Sequence, residues 1–429
     1  MSNMQKEVFS HSIFSWLLGG LALSLGVSKA GLSIFTILLL LVFIGFSVKY
    51  RAELRFHSMS RLSQWLLLLF ASGSLLSLLS SGGLGSMKDF MNKGSLLLVL
   101  PICLHLLHDE KNRRFAFFSL LLGAVIASLY SLSMWAETLT STEPTDRIAS
   151  FWDLGRWGEY VCYVLVFLLP LLSMPQSRKQ RSAIILCFSL VLLALLISGM
   201  RGPFLAIVVS FLVYFLILNR RYLLHFAVLS ILGTAVVFIA TPSVIEFAWL
   251  RFISIFDVTQ NYSNLARLNM WFYAVDFFMH NLTNDVQGLL WGSGFGNLGP
   301  IFGSYMEQSN QLDTLIQVTG GAASINDHHN AALNVVNQIG VVYTLLLGVG
   351  VIMVLKRLWG RYRITPASHW LHSAILVVLA YLVMGIFYSN ELNYQTLMAA
   401  FMCCLAVRFH DTENTLCIRN TDGLGSGDA

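Results

Sequence analysis

Three clusters of residues in this chain carry side chains suited to gripping an anion or moving a proton. The first is Ser198-Gly199-Met200-Arg201-Gly202-Pro203, a tight turn between two apolar runs. Arg201 there is either a snorkelling arginine that ends a helix or a planar guanidinium fork held at headgroup level to bind phosphate. The second is Arg267, near the start of an amphipathic helix predicted over 264–281, with Leu265, Leu268, Trp271, Phe272, Val275 and Phe278 near one face. Its plainer reading is a solvated arginine on an interfacial helix. The third is Asp327-His328-His329-Asn330, directly before an apolar run. Asp327 or Asn330 can cap the following helix, but a cap leaves two adjacent histidines unexplained. A histidine with a pKa near 6.5 is the side chain best suited to taking a proton from a hydroxyl at neutral pH. Between the arginine and histidine clusters, Gly292, Gly294 and Gly296 match only part of a dinucleotide fingerprint, and no strand-helix unit with a following acidic residue surrounds them. A tight loop with a close backbone approach is the modest inference.

The elements that must position these groups are membrane spans. Hydrophobic residues make up 56% of the chain and charged residues 11%, against about 25% charged in soluble domains. Only helices and closed barrels satisfy backbone polar groups in lipid, and the alternation of barrel strands is absent. The expected fold is therefore all-α, a polytopic bundle of about twelve spans. Their approximate ranges are 12–28, 31–48, 62–81, 94–108, 114–135, 158–174, 182–199, 203–219, 222–240, 330–355, 369–388 and 394–408. Spans one to nine occupy 1–240, and spans ten to twelve occupy 330–408. The interval 241–329 is a long loop with amphipathic helices, and 409–429 is expected to be a disordered tail. The first apolar run reads as a span rather than a cleavable signal.

Basic residues orient the bundle. With the N-terminus cytoplasmic, 19 of the 27 Lys and Arg fall in inside segments and 8 in outside ones. The long loop then faces outward, both termini face inward, and the net charge of +5 reflects topology rather than nucleic-acid binding. Arg147, Arg156, Arg201, Arg251 and Arg267 oppose this trend and call for another cause. Five of the six cysteines fall in spans and Cys417 in the tail, so none is placed for a disulfide in an exported loop, and no Cys/His spacing resembles a zinc site.

Three motifs in order, the Ser-Gly-Met-Arg-Gly turn, Arg267-Leu-Asn-Met-Trp271 followed by Gly-Ser-Gly-Phe-Gly, and His329-Asn330-Ala-Ala-Leu333 followed by Gly340, resemble those of the O-antigen ligase superfamily. That superfamily includes O-antigen ligases, Wzy-type polymerases and bacterial protein O-oligosaccharyltransferases. The resemblance covers the span layout and most of residues 195–345. It implies glycosyl transfer from an undecaprenyl-diphosphate-linked donor at the periplasmic face of the inner membrane. Arg201 and Arg267 would bind the diphosphate, and His329 would activate the acceptor hydroxyl. Arg147 is a looser match to a further arginine, and Arg156, His328 and Asn330 are candidate substrate-binding residues. A small or polar residue often precedes the family's histidine; here it is His328, which leaves the choice between the two open. The outer segments hold no compact Asp/Glu cluster for Mg²⁺, so the expected reaction is metal-independent and inverting, with no cofactor.

A ligase would use lipid A-core as acceptor, and a polymerase another lipid-linked repeat. The single dominant outer loop, placed late in the chain, favours ligase. A transporter or flippase is the rival from a different class. The expected spans carry no ionisable residue at mid-depth, with Lys29, Glu159, His369 and Glu391 at span ends or in loops, which weighs against ion coupling.

Overall fold

The computed structural model describes residues 3–49, 60–138, 147–224 and 261–424, with positions 246, 249, 250, 253, 254 and 257 between the last two ranges; side chains are described within 12–413. Helix makes up 84% of the structure, and no strand occurs among the described residues. In chain order the first nine helices are α1 (Asn3–Val27), α2 (Lys29–Lys49), α3 (Arg61–Leu79), α4 (Gly83–Gly94), α5 (Leu96–Leu106), α6 (Glu110–Thr138), α7 (Leu154–Leu168), α8 (Arg178–Ser198) and α9 (Arg201–Val213). Four shorter or more polar helices follow: α10 (Tyr262–Asn284), α11 (Val286–Trp291), α12 (Leu298–Gln308) and α13 (Leu312–Thr319). The chain returns to apolar helices with α14 (Ala331–Ile364), α15 (His369–Phe387) and α16 (Tyr394–Leu424).

Nine helical segments among the described residues are long and apolar enough to cross a membrane, so this is a multi-pass membrane protein. They correspond to nine of the twelve expected spans. The other three differ for separate reasons. The expected 12–28 span is the shorter apolar stretch Ser12–Val27 within α1. The 222–240 span lies, beyond residue 224, outside the described residues. The 394–408 span opens α16, where the apolar stretch reaches Arg408 after too few residues to fill a bilayer.

Helix α16 continues past Arg408 to Leu424. Its first turn beyond Arg408 is docked. Asp411 pairs with Arg361 at 2.8 Å, and His410 Nδ1 donates to the helix-capping Ser368 Oγ at 2.9 Å, which donates to Glu413.

The most apolar span is the least buried, and one of the least apolar is the most buried. Helix α2 has a mean hydropathy of 2.6 with 11% of its span buried, whereas Leu154–Ser173 has 1.3 with 83% buried. A lipid-facing helix has to be apolar all round, whereas a helix enclosed by protein can keep polar groups that find partners. Glu159 on α7 uses that freedom. It is 1% exposed, the sixth residue of the Leu154–Ser173 span, and accepts from Tyr163, Asn390 and Gln395. Around α7 pack α8, α9, α15 and α16.

A second, smaller core lies outside the spans. Tyr273 and Phe277 of α10 meet Leu298, Phe302 and Met306 of α12 and Leu315 of α13. What attaches it to the bundle is a break in α14. Gly340 has φ 83° and ψ 174°, far from helical values, and interrupts the ladder. The backbone N–H groups of Ser293 and Gly294 donate to the carbonyls of Asn337 and Gln338 at 2.9 Å each, taking over acceptors that the break releases. Gly292 (φ 75°) and Gly340 lie backbone against backbone, and a Cβ on either would clash with the other strand of chain. The Gly-Ser-Gly-Phe-Gly run thus clasps the broken helix, the close approach its composition suggested.

Candidate functional site

Helix α8 ends at Gly199, whose left-handed φ of 58° turns the chain sharply, and α9 begins two residues later. That turn puts Arg201 in the first turn of α9, half-buried, with Nη1 donating to the Ser254 carbonyl at 3.2 Å. Helix α10 approaches from outside the spans and brings Arg267 to the same place. Both arginines line one open cleft of about 170 Å³, together with Gly202 and Leu205 of α9, Trp271 of α10 and Phe387 of α15. Residues 66 positions apart are thereby joined in one positively charged depression with apolar walls.

Tyr388, just past α15, lies behind the lining residues, against Arg267 and Gly202. The Arg267 guanidinium lies over its ring, 5.4 Å from the ring centre. Burial raises the phenol pKa, against the opposing pull of Arg267 and then Arg201. The ring occupies space that a side chain on Gly202 would need. The sequence reading missed Tyr388. The available signal was the polar Ser389-Asn390-Glu391 run between two apolar segments.

The two histidines separate. His329 has φ 46°, a left-handed conformation, and this turn sends neighbouring side chains in different directions. His328 is fully buried, edge-on to Phe302, with Nε2 accepting from Asn337 Nδ2 at 3.1 Å. Burial pushes its pKa down to about 4, so it is neutral and structural near pH 7. His329 is half-exposed. Asp327 Oδ1 accepts its backbone N–H at 3.0 Å and lies 3.3 Å from its Nδ1. A proton on Nδ1 directed at Asp327 leaves Nε2 as the free acceptor. Burial is the main cause lowering the His329 pKa; Asp327 opposes it and Arg267 adds to it. An imidazole with a lowered pKa is neutral near pH 7, the state a base requires.

Trp271 links the halves of the site. It lines the cleft and donates its indole N–H to the His329 carbonyl at 3.3 Å. A second link is the turn after α15. Glu391 accepts from Asn334 Nδ2, and Asn334 Oδ1 accepts the His328 backbone N–H. Burial raises the Glu391 carboxyl to about 8. Sequence inspection placed Glu391 in a loop and assigned it no role.

The remaining candidates sit elsewhere. Asn330 caps α14, accepting from Leu333 N–H at 3.1 Å while its amide donates to the Ile386 carbonyl, so its side chain is engaged in structure. Arg156 pairs with Asp153, the residue that caps α7. Arg147 is exposed, next to Ile148, whose N–H donates to the Ile197 carbonyl near the Arg201 turn. Neither Arg147 nor Arg156 lines the cleft. Arg251 lies outside the described residues.

Chemically, the cleft can bind a compact dianion between two guanidinium groups, with an oriented neutral imidazole close by. Among the described residues no group of three or more His, Cys, Asp or Glu is arranged to hold a metal. Comparison with known protein families and with curated proteins finds no match for this chain.

Proposed function

We propose that this protein is a membrane glycosyltransferase of the O-antigen ligase kind. It moves a glycan from undecaprenyl diphosphate to a lipid A-core acceptor. The observation that carries this reading is the convergence of Arg201 and Arg267 on one cleft, with Trp271 connecting it to an Asp327–His329 pair. Guanidinium groups suit a diphosphate because their planar forks meet its oxygens two at a time.

In the proposed reaction, His329 Nε2 takes the proton of the acceptor hydroxyl as its oxygen attacks the anomeric carbon. The new glycosidic bond forms from the face opposite the diphosphate, so configuration inverts. The sugar–phosphate bond breaks, and its electron pair leaves on undecaprenyl diphosphate. Arg201 and Arg267 stabilise that developing negative charge, so the step needs no metal. Asp327 stabilises the imidazolium, which then returns its proton to solvent. A positioned base of this kind contributes about 10²–10⁴-fold.

The reading places the cleft at the periplasmic face of the inner membrane and both termini in the cytoplasm. It is supported by the distribution of Lys and Arg, 19 of 27 on the opposite side. Helix α10 fits that setting. Leu268, Phe272, Val275, Met279 and Leu282, spaced four and three apart, are all 42–65% exposed. Such a stripe suits a helix resting in the outer lipid surface, which would hold Arg267 and Trp271 at headgroup level.

A Wzy-type polymerase would use the same donor and the same site. Deletion of the gene followed by lipopolysaccharide gel analysis distinguishes the two. Loss of long chains with accumulated lipid-linked polymer is the expected ligase outcome, and one-repeat lipopolysaccharide would indicate a polymerase. His329→Ala should abolish transfer with insertion unchanged; wild-type transfer would remove its role as base. A buried carboxylate such as Glu159 is a feature an ion-coupled transporter would share, yet its two oxygens already accept from three donors.

A further inference from the structure

The connection after α15 bridges α7, α9, α10 and α14. Tyr388 meets Arg267 and the backbone of Gly202, Asn390 donates to Glu159 of α7, and Glu391 accepts from Asn334 of α14. Asn390 is fully buried, and its amide also reaches the Tyr381 carbonyl, so the turn is pinned to the bundle rather than free to slide. Tyr388 is therefore a fixed surface against which a mobile arginine can be set. Arginine carries roughly 2 kcal/mol of rotamer entropy, and a guanidinium that is not held pays that cost on each binding event.

Arg267 projects from α10, a helix outside the spans, whereas Arg201 is anchored at the start of α9. Two forks on separate bodies bind one dianion well only when their spacing is set beforehand. The Tyr388 ring supplies that setting, with the guanidinium held over it 5.4 Å from the ring centre. Gly202 has a matching role. A Cβ there would stand 3.1 Å from both Cζ and the hydroxyl oxygen of Tyr388 and closer still to the ring edge. Immediately after Arg201, a residue without a side chain is what lets the two clefted halves meet.

We infer that Tyr388 is a positioning residue that holds the Arg267 guanidinium at a fixed distance from Arg201, with Gly202 leaving room for its ring. The inference rests on the diphosphate-binding reading of the cleft and deepens it. Tyr388 acts through Arg267 and does not itself contact the ligand.

The test is equilibrium binding of radiolabelled farnesyl diphosphate to the purified full chain in detergent. Tyr388→Leu removes the aromatic ring while keeping an apolar side chain. Loss of a cation–ring contact sets the expected loss at about five- to tenfold in affinity. The same change in an Arg267→Ala background should cost nothing further, because the group it positions is gone. Gly202→Ala, which displaces the ring, should weaken binding at least as much as Tyr388→Leu and likewise lose its effect without Arg267. Equal losses with and without Arg267, or wild-type affinity in Tyr388→Leu, would overturn the positioning role while leaving the arginine site intact. Failure of the wild-type chain to bind the diphosphate would overturn both the site and this role.

Discussion

Substituting alanine for Gly340 tests how the extramembrane part is held to the bundle. The new Cβ would lie 2.7 Å from the backbone nitrogen of Trp291 and closer to the Leu290 carbonyl, both main-chain atoms that cannot rotate away. The residue would also have to keep φ 83° and ψ 174°, a region open essentially to glycine alone. The backbone conformation costs about 1–3 kcal/mol, and overpacking a similar ~1–3 kcal/mol. Relief by moving the 292–294 segment would break its two backbone hydrogen bonds to Asn337 and Gln338, at about 1 kcal/mol each. The expected penalty is therefore ~2–6 kcal/mol, directed at the attachment of the segment that leads back through α11 to α10. Gly348, two turns further along the same helix, has nothing within 4 Å of its would-be Cβ, and alanine there should be neutral or slightly stabilising. Thermal unfolding of the two detergent-purified variants, with lipopolysaccharide complementation alongside, gives the comparison. Equal stability and equal complementation in Gly340→Ala and Gly348→Ala would refute the argument.

Arg201→Lys keeps the charge but loses the fork, so transfer measured in membranes should fall about tenfold or more with protein level unchanged; normal turnover would remove the diphosphate role. Because His329 acts neutral and burial lowers its pKa, transfer should be maintained as pH falls to 6.5 and be lost only below it. Asp327→Asn removes the one group raising that pKa, so the acid limb of the pH–rate profile should move lower still while the maximal rate falls. Cysteines placed at Phe272 and Val275 should resist a membrane-impermeant maleimide, whereas one placed at His280, exposed on another face of α10, should react readily; uniform labelling would take α10 out of the lipid surface.

Parts of the site were visible in residue types and order, and parts were not. Arg201 and Arg267 stood out because positive charge at those positions opposes the topological trend, and both line the cleft. Arg147 and Arg156 carried the same signal, yet Arg156 is paired with the cap of α7 and Arg147 is exposed away from the lining residues. Charge sign cannot distinguish a guanidinium that faces a cleft from one that serves a helix end. Tyr388 passed as an apolar residue closing a span, since its partners lie more than a hundred residues away.

Sequence alone determined the all-helical membrane character, because lipid offers no hydrogen bonds and leaves long apolar runs no other form. It also determined that a polar interval, with its arginines and histidines, must stand apart from the spans. Only the tertiary structure decided which histidine turns outward. His328 and His329 are adjacent and chemically identical, and a left-handed backbone at one of them, together with the packing of Phe302 and Asn337, separates a buried imidazole from a half-exposed one. The same holds for Gly340, where the break in α14 exists because another backbone supplies the hydrogen bonds the helix gives up. Local pattern governs what a segment can bury; which distant groups meet depends on how the helices pack.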